Sequence, residues 1–336
     1  MLKLFTIVTL FLSMVWASEA RSLDLTSWMF ELDDSRLITQ ISIPGTHDSA
    51  ADRAHCQENW KCAAVIEFAS TQQYNIPTQL TKGVRFFDIR LAYEDGFLRF
   101  HHGSYYLEEH FDYAIDAAQD FLDSNPSEFV IFLIKQEHTS VSANTFWERA
   151  HTGYLNLDKY NGLFYLEKRV LTVGEARGKI IIMGREGSSE HKQGFHVNWD
   201  SNTSHYEYYS YDKDINDVMR YIVEDHYSLK SVSKETKFAW IAQNLRLAGL
   251  CTDCKSWCTT CGYKKTLYIT FLSGEGDPNT SKEPSDFANY ENPQTATWLH
   301  DHPGPRPGIV AIDYAGDPEH GGDAVITEVI NQNTFE

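Results

Sequence analysis

The chain is short of positive charge: of 336 residues, 29 are Lys or Arg and 47 are Asp or Glu, a formal net charge of −18. Nucleic-acid binding needs a basic face for phosphates, and a polybasic membrane anchor needs clustered cations, so both classes are set aside. After the first twenty residues no apolar run is long enough to suggest a membrane-spanning helix. No repeat, charge block or Gly/Ser linker divides the chain, which points to a single domain. Neither GxSxG nor HExxH occurs, removing the motif-level case for a nucleophile-elbow hydrolase or a zincin. Gly174 to Lys179 (GEARGK) falls one residue short of a Walker spacing and reads as a turn before a strand.

What is present is globular in kind. Hydrophobic residues make up 42%, charged residues 23% and aromatic residues 13%, enough large side chains for a core or a sugar-facing site. Met1–Ala20 reads as a signal peptide: Lys3 supplies the positive start, Leu4 to Val15 the short apolar run, and Ala17 or Ala20 the cleavage site. Its removal takes one Lys and one Glu, so the charge of the mature chain, 21–336, is unchanged. Val325 to Glu336 has no hydrophobic tail for a lipid anchor, so the expected product is secreted and soluble. Six cysteines suit that compartment. Cys56 and Cys62 flank a short segment, while Cys251, Cys254, Cys258 and Cys261 form two closely spaced CxxC units. Structural zinc pairs usually lie roughly 12–20 residues apart, so disulfides are favoured over zinc in this insertion. Asn202 and Asn279 begin NTS sequons, expected at the surface.

Short apolar runs recur along the chain, rich in Ile, Val and Phe and ending in polar residues: 37–43, 84–90, 97–102, 129–135, 179–185, 267–272 and 308–313. Continuous rather than alternating runs are expected of parallel strands buried on both faces. An eighth strand is expected within 195–212. Helical patterns fall between them, clearest over 106–124, where Leu107, Phe111, Ile115, Ala118 and Leu122 share a face, and weaker over 145–150, 217–227, 237–249 and 286–300. Alternating strands and helices imply an α/β fold with a parallel sheet, and this strand number suits a distorted (β/α) TIM-type barrel. A doubly wound sheet is the runner-up, but the first run ends in IPGTHDSA rather than a Gly-rich phosphate loop.

Barrel enzymes carry their reactive groups at the C-terminal ends of strands. Here those ends bear His47 and Asp48, Asp88 and Arg90, His102, Lys135, Arg185 and Asp313. Singly, each has a plain structural explanation, such as a hydrogen-bonded His or an Asp capping the next helix. Together on one rim they form a polar constellation. Two histidines supply a base and an acid near neutral pH, and Asp313 can orient one imidazole. Arg90, Lys135 and Arg185 point to an anionic substrate, the planar guanidinium suiting phosphate oxygens. Without an obvious protein nucleophile, acid–base cleavage of a phosphodiester follows, the attacking group being a substrate hydroxyl or water.

These residues lie in SIPGTHDSA (42–50), GVRFFDIR (83–90), FHHG (100–103), FLDSNPSEFVIFLIKQEH (121–138), EARGKIIIMGR (175–185), VAIDY (310–314) and EVI (328–330). In that order, over nearly all of 38–330, the chain resembles the X-domain family of phosphatidylinositol-specific phospholipases C, in its compact bacterial form. The resemblance implies cleavage of phosphatidylinositol, and of glycosylated relatives, to diacylglycerol and inositol 1,2-cyclic phosphate. It implies His47 as general base with Asp313 as its partner, and His102 as general acid. Arg90 would neutralise a phosphate oxygen and Asp48 would assist near the leaving group. Lys135, Arg185 and Asp88 would serve substrate binding. The family's D-x-Y segment, whose Asp meets inositol and whose Tyr stacks on the ring, has its nearest counterpart in YSYDKD (209–214). That assigns Asp212 to the inositol, with Tyr211 the nearest substitute for the stacking ring.

Calcium-dependent relatives need oxygen ligands beside the phosphate, and Arg90 in that place would repel the ion, so no metal or other cofactor is expected. The expected partner is a phosphatidylinositol-containing membrane surface, met transiently, with no nucleic acid and no obligate protein partner. Given the acidic chain, surface contact would rely on aromatic residues such as Trp60 or Tyr105 and Tyr106. Two alternatives remain: a phosphodiesterase of other head-group specificity, such as a glycerophosphodiesterase or a sphingomyelinase-D-like enzyme, and a non-catalytic lipid- or glycan-binding barrel.

Overall fold

The computed structural model describes residues 23–52, 66–138, 141–185, 187–200, 202–212, 217–250, 265–276, 283–304 and 306–333. Met1–Ala20, Cys56, Trp60, Cys62, the Cys251–Cys261 insertion and the Asn279 sequon lie outside the described residues. Among the described residues twelve strands form one sheet: β1 (Ile43–Thr46), β2 (Phe86–Glu94), β3 (Phe97–His102), β4 (Tyr105–His110), β5 (Val130–Gln136), β6 (Phe164–Tyr165), β7 (Ile180–Gly184), β8 (Phe195–His196), β9 (Thr203–Asp212), β10 (Asp217–Asp225), β11 (Thr266–Phe271) and β12 (Ile309–Ile312). The main path runs β6-β7-β5-β2-β1-β12-β11-β10-β9, parallel except for β9, while β3 and β4 extend β2 as an antiparallel ribbon and β8 pairs with β7. The sheet is curled and parallel-rich, a half-barrel of the TIM type.

The helices are α1 (Ile66–Ala69), α2 (Ile76–Thr81), α3 (Phe111–Ser124), α4 (Ala143–Ala150), α5 (Val173–Ala176), α6 (Lys234–Leu250), α7 (Pro284–Asp301) and α8 (Gly322–Asn331). Strand interiors are apolar because both faces are covered: Ile131 to Ile134, Ile180 to Met183 and Ile309 to Ile312 are all buried. Each Ile, Val, Leu, Phe or Met side chain among them contributes about 1.5–3 kcal/mol by leaving water. On α3, Phe111, Ala114, Ile115, Ala118 and Leu122 face inward at helical spacing.

Three segments differ from the sequence reading. Residues 106–110 form β4 instead of the first turns of α3, because Gly103, at φ +57°, lets β3 reverse into a hairpin pairing His102 with Tyr105. Leu107 is buried within β4, and its four-residue spacing from Phe111 also fits the inward face of a helix, which is why the helical pattern reaches it. Residues 217–225 form β10, not a helix: apolar positions such as Tyr221 and Ile222 fit a helical face, but they pair with β9 on one side and β11 on the other. Finally, 37–43 is mostly not a strand. Ile38–Gln40 is a 3₁₀ turn closed by Gln40 Oε1, which accepts from the Leu37 N–H at 3.1 Å, and β1 starts only at Ile43. Pro44 and Gly45 look like breakers, yet sit inside β1; a Cβ on Gly45 would lie 2.6 Å from the Phe86 ring, so only glycine lets β2 approach.

Register places the rim. Thr46 pairs with Ile312, so His47 and Asp313, which follow them, leave neighbouring parallel strands side by side. Arg90 pairs with Lys135, and Ile134 with Gly184, which sets Lys135 beside Arg185.

Candidate active site

His47, Arg90, His102, Lys135, Arg185 and Asp313 all line one cavity of about 280 Å³. Asp48 and Asp88 lie just beneath its wall, each 1% exposed.

The His47 Nδ1–H donates to Asp313 Oδ1 at 2.8 Å. Because a carboxylate only accepts, this fixes the proton on Nδ1 and leaves Nε2 with a lone pair. Burial alone would lower the His47 pKa, and Arg90 lowers it further; Asp313, by charge and hydrogen bond, together with Asp88, outweighs both and raises it. His102 is held differently. Its Nδ1–H donates to the Ala69 carbonyl at 2.6 Å, and Nε2 stands 3.7 Å from Asp48 Oδ2.

Arg90 lies between two carboxylates. Its Nε–H donates to Asp88 Oδ2 at 3.0 Å, and Nη1 stands 3.5 Å from Asp48 Oδ2. Burial opposes the charge, but Asp88 and Asp48 more than offset it and raise the Arg90 pKa. Burial would raise the Asp88 pKa, yet Arg90 and His47 hold it below the usual carboxylate range. For Asp48 burial prevails over Arg90 and His102, and its pKa is raised. Asp88 also accepts from the Asp48 backbone N–H at 3.1 Å, so it supports Arg90 and the turn instead of facing substrate. Asp48 adopts φ +42°, a left-handed conformation costing about 1–3 kcal/mol that the surrounding hydrogen bonds must impose.

Lys135 Nζ donates to Glu137 Oε2 at 2.6 Å. Burial works against the Glu137 charge, but Arg90 and Lys135 keep its pKa low. Arg185 stands 3.8 Å from Asp225 Oδ2 and 4.0 Å from the centre of the Trp199 ring, whose Nε1–H donates to the same Asp225 oxygen at 2.8 Å.

Asp212 is not part of this group. In the β9–β10 pair it lies opposite Asp217, at the start of β10, whereas the cavity sits at the other end, by Asp225. Eight residues of strand separate the two ends by about 26 Å. Asp225, His226 and Tyr227 form a D-x-Y of their own, and Asp225 and Tyr227 line the cavity. Sequence reasoning missed them because the stretch was assigned to a helix; read as a strand, its C-terminal end would have exposed the motif. Glu137 was missed too, although it lies two residues beyond Lys135 at a strand end. Tyr105 and Tyr106 are half-buried, while Phe68, at the cavity mouth, is 40% exposed.

Among the described residues no group of three His, Cys, Asp or Glu side chains is arranged to hold a metal ion. The site contains what in-line displacement at phosphorus requires: an imidazole with a free nitrogen, a second imidazole and a fixed cation.

Known proteins resemble this chain over most of its length. The family described as "Phosphatidylinositol-specific phospholipase C, X domain" matches residues 42–186. The 1-phosphatidylinositol phosphodiesterase of Staphylococcus aureus (strain NCTC 8325 / PS 47) is 30% identical over 348 aligned positions, covering 97% of this chain and 98% of that protein. A solved structure of the Staphylococcus aureus phosphatidylinositol-specific phospholipase C superposes with a TM-score of 0.78 at 28% identity, covering 93% and 98% of the two chains. The Listeria monocytogenes enzyme shares the fold, with a TM-score of 0.70 at 21% identity over 93% and 100%. On this near full-length likeness, the chain belongs to the phosphatidylinositol-specific phospholipase C family.

Proposed function

We propose that the protein is a secreted phosphodiesterase that cleaves phosphatidylinositol into diacylglycerol and inositol 1,2-cyclic phosphate. The observation that carries this reading is two imidazoles on one cavity, each anchored through Nδ1, with Arg90 between two carboxylates beside them. His47 Nε2 takes the proton of the inositol 2-hydroxyl. That oxygen forms a bond to phosphorus while the bond from phosphorus to the glycerol oxygen breaks. His102, protonated, gives its Nε2 proton to the leaving oxygen, and Asp48 stabilises the imidazolium. Arg90 balances the charge that builds on a non-bridging oxygen. Asp313 keeps His47 in the reactive tautomer and stabilises its protonated form.

Lys135, Arg185 and Asp225 are suited to the inositol hydroxyls, and Tyr227 to the ring face, in the places expected of Asp212 and Tyr211. Arg90 supplies positive charge beside the two histidines, and a guanidinium there would repel a calcium ion, which supports catalysis without metal. Secretion rests on Met1–Ala20, which reads as a signal peptide. Contact with the lipid surface is transient and aromatic in character. Phe68 at the mouth is the described side chain that best fits this role, since a chain of charge −18 gains nothing from an anionic surface by attraction.

The test is a side-by-side assay on phosphatidylinositol vesicles, sphingomyelin vesicles and soluble glycerophosphoinositol with a calcium chelator present. Turnover of phosphatidylinositol alone, lost in His47→Ala, is the expected result. Preference for either of the others, or dependence on calcium, would overturn the assignment.

A further inference from the structure

The two histidines stand on different strands, yet one four-residue segment touches both. The Ala69 carbonyl accepts from the His102 Nδ1–H at 2.6 Å. Two residues on, Thr71 Oγ1 donates to the Asp48 carbonyl at 3.1 Å and is 3.3 Å from that of His47. Gln72 goes further. Its Nε2 donates to the His47 carbonyl at 2.8 Å and to the Ile312 carbonyl at 2.9 Å, and its Oε1 accepts from the Ala315 N–H at 3.1 Å. The side chain is fully buried, and both amide protons and its oxygen are used. It therefore joins the end of β1, which carries His47, to the end of β12, which carries Asp313.

The segment is itself held by backbone. Thr71 and Gln72 N–H groups both donate to the Ala51 carbonyl, at 2.9 and 3.1 Å, and the Tyr314 N–H donates to the Thr71 carbonyl at 2.7 Å. Tyr314 Oη donates to the Ser70 carbonyl at 3.1 Å. From α2, the buried Gln79 continues the pattern: its Nε2 donates to the Ser49 carbonyl at 2.9 Å, and its Oε1 is 3.0 Å from Thr46 Oγ1. Side chains of 71–79 thus occupy the carbonyls of His47, Asp48 and Ser49 in turn, across the point where Asp48 takes φ +42°.

We propose that Ala69–Gln72 is a positioning strap that sets the two imidazoles relative to each other, with Gln72 the positioning residue that aligns His47 on Asp313. The argument is one of geometry. A buried carbonyl without a partner would draw the backbone toward another donor, and the parallel register of β1 with β12 is short, from Ile43 with Ile309 to Thr46 with Ile312. The last bond of that ladder runs from the His47 N–H to the Ile312 carbonyl at 3.2 Å and stops one residue short of Asp313. The Gln72 amide adds the constraint beyond that point, since it grips the His47 carbonyl together with the backbone on either side of Asp313. Reaction at phosphorus depends on such placement, and a displacement of about 1 Å costs on the order of 10²-fold in rate.

This inference rests on His47 and His102 acting as base and acid, and the test separates the two ideas. Gln72→Met keeps length and volume but removes the amide. The charged groups facing the His47 ring are Asp313 beyond β12, Arg90 and Asp88 on β2, and Asp48 on its own turn. Of these only the Asp313 contact depends directly on the Gln72 bridge, so its loosening lowers the His47 titration midpoint. Two readouts are taken: kcat and KM on phosphatidylinositol, and the His47 midpoint in the substrate-free enzyme by NMR of ring-labelled histidine. Expected are a fall in kcat of about 10- to 100-fold, KM within about twofold, and a lowered His47 midpoint. Thr71→Val, which removes one hydroxyl, shifts both readouts the same way by less and decides the matter if Gln72→Met does not fold. Folded variants with the original kcat and the original midpoint would overturn the strap. A lowered midpoint with unchanged kcat would uphold the strap and remove His47 from the role of base.

Discussion

Two arginines mark the two ends of the parallel part of β2, and they are buried in opposite ways. Arg85, just before the strand, is fully enclosed. Its Nε donates to Glu128 at 3.0 Å, Nη1 to the Leu80 and Val84 carbonyls, and Nη2 to those of Leu25 and Thr26. Glu128 in turn accepts from the Met29 N–H, so the pair ties the N-terminal segment under the sheet. Arg90, at the rim, has one hydrogen bond among the described residues, to Asp88, and a looser ion pair with Asp48 at 3.5 Å, which leaves the other donors for the cavity. Its neighbourhood is equally incomplete: Asp48 Oδ2, Asp88 Oδ1 and Asp313 Oδ2 are buried with no hydrogen-bond partner among the described residues. A charge whose donors are all satisfied can only hold the chain together. One with donors left open is prepared for a ligand, because unpaired buried polar groups are costly unless something arrives to pair them.

Substitutions can break this contrast. The largest effect is expected at the rim histidines: His47→Ala or His102→Ala lowers kcat by about 10²–10⁴ or more, without loss of thermal stability comparable to a core mutation. Near-original turnover in either variant would deny that the open end does the chemistry. Arg90→Lys keeps the charge but loses the planar fork, and a fall in kcat of about 10²–10³ is expected with the circular dichroism spectrum unchanged. Arg85→Met should do the reverse. Leaving Glu128 buried and unpaired costs about 3–5 kcal/mol in denaturant unfolding, while kcat per folded molecule stays the same. If Arg85→Met reduced kcat as strongly as Arg90→Lys, the division between holding and working arginines would fail.

The smallest effect is a shift in pH dependence. The base must be unprotonated, and the net influence of Asp313 and Asp88 over burial and Arg90 raises the His47 pKa. The acid limb of kcat/KM should therefore lie above the ordinary imidazole range. Asp313→Asn should move that limb to lower pH while also lowering the plateau. A limb that stays in place would mean that another group titrates.

Much of the rim is legible in the sequence, because apolar strand-like runs end in polar residues and those ends can be read directly, His102 on the antiparallel β3 included. His47, Arg90, His102, Lys135, Arg185 and Asp313 were found in this way, although His47 and Asp313 are far apart in the chain. What the pattern hid follows from the same rule. Residues 217–225 fit helical spacing and strand alternation about equally well, and choosing helix concealed Asp225 and Tyr227 at the strand end while promoting Asp212. The role of Asp88 behind Arg90 was likewise invisible, since a carboxylate that faces substrate and one that supports a cation look the same in sequence. Gln72 carries no motif at all; its bridging depends on β1 and β12 being neighbours, which only the folded sheet reveals.

The most direct test of two imidazoles acting on one phosphorus is phosphorus NMR of phosphatidylinositol vesicles during turnover with chelator present. An inositol 2-hydroxyl activated by His47 must produce inositol 1,2-cyclic phosphate as the first water-soluble phosphorus signal. Direct appearance of inositol 1-phosphate, with no cyclic ester preceding it, would show that water is the nucleophile and contradict the assignment.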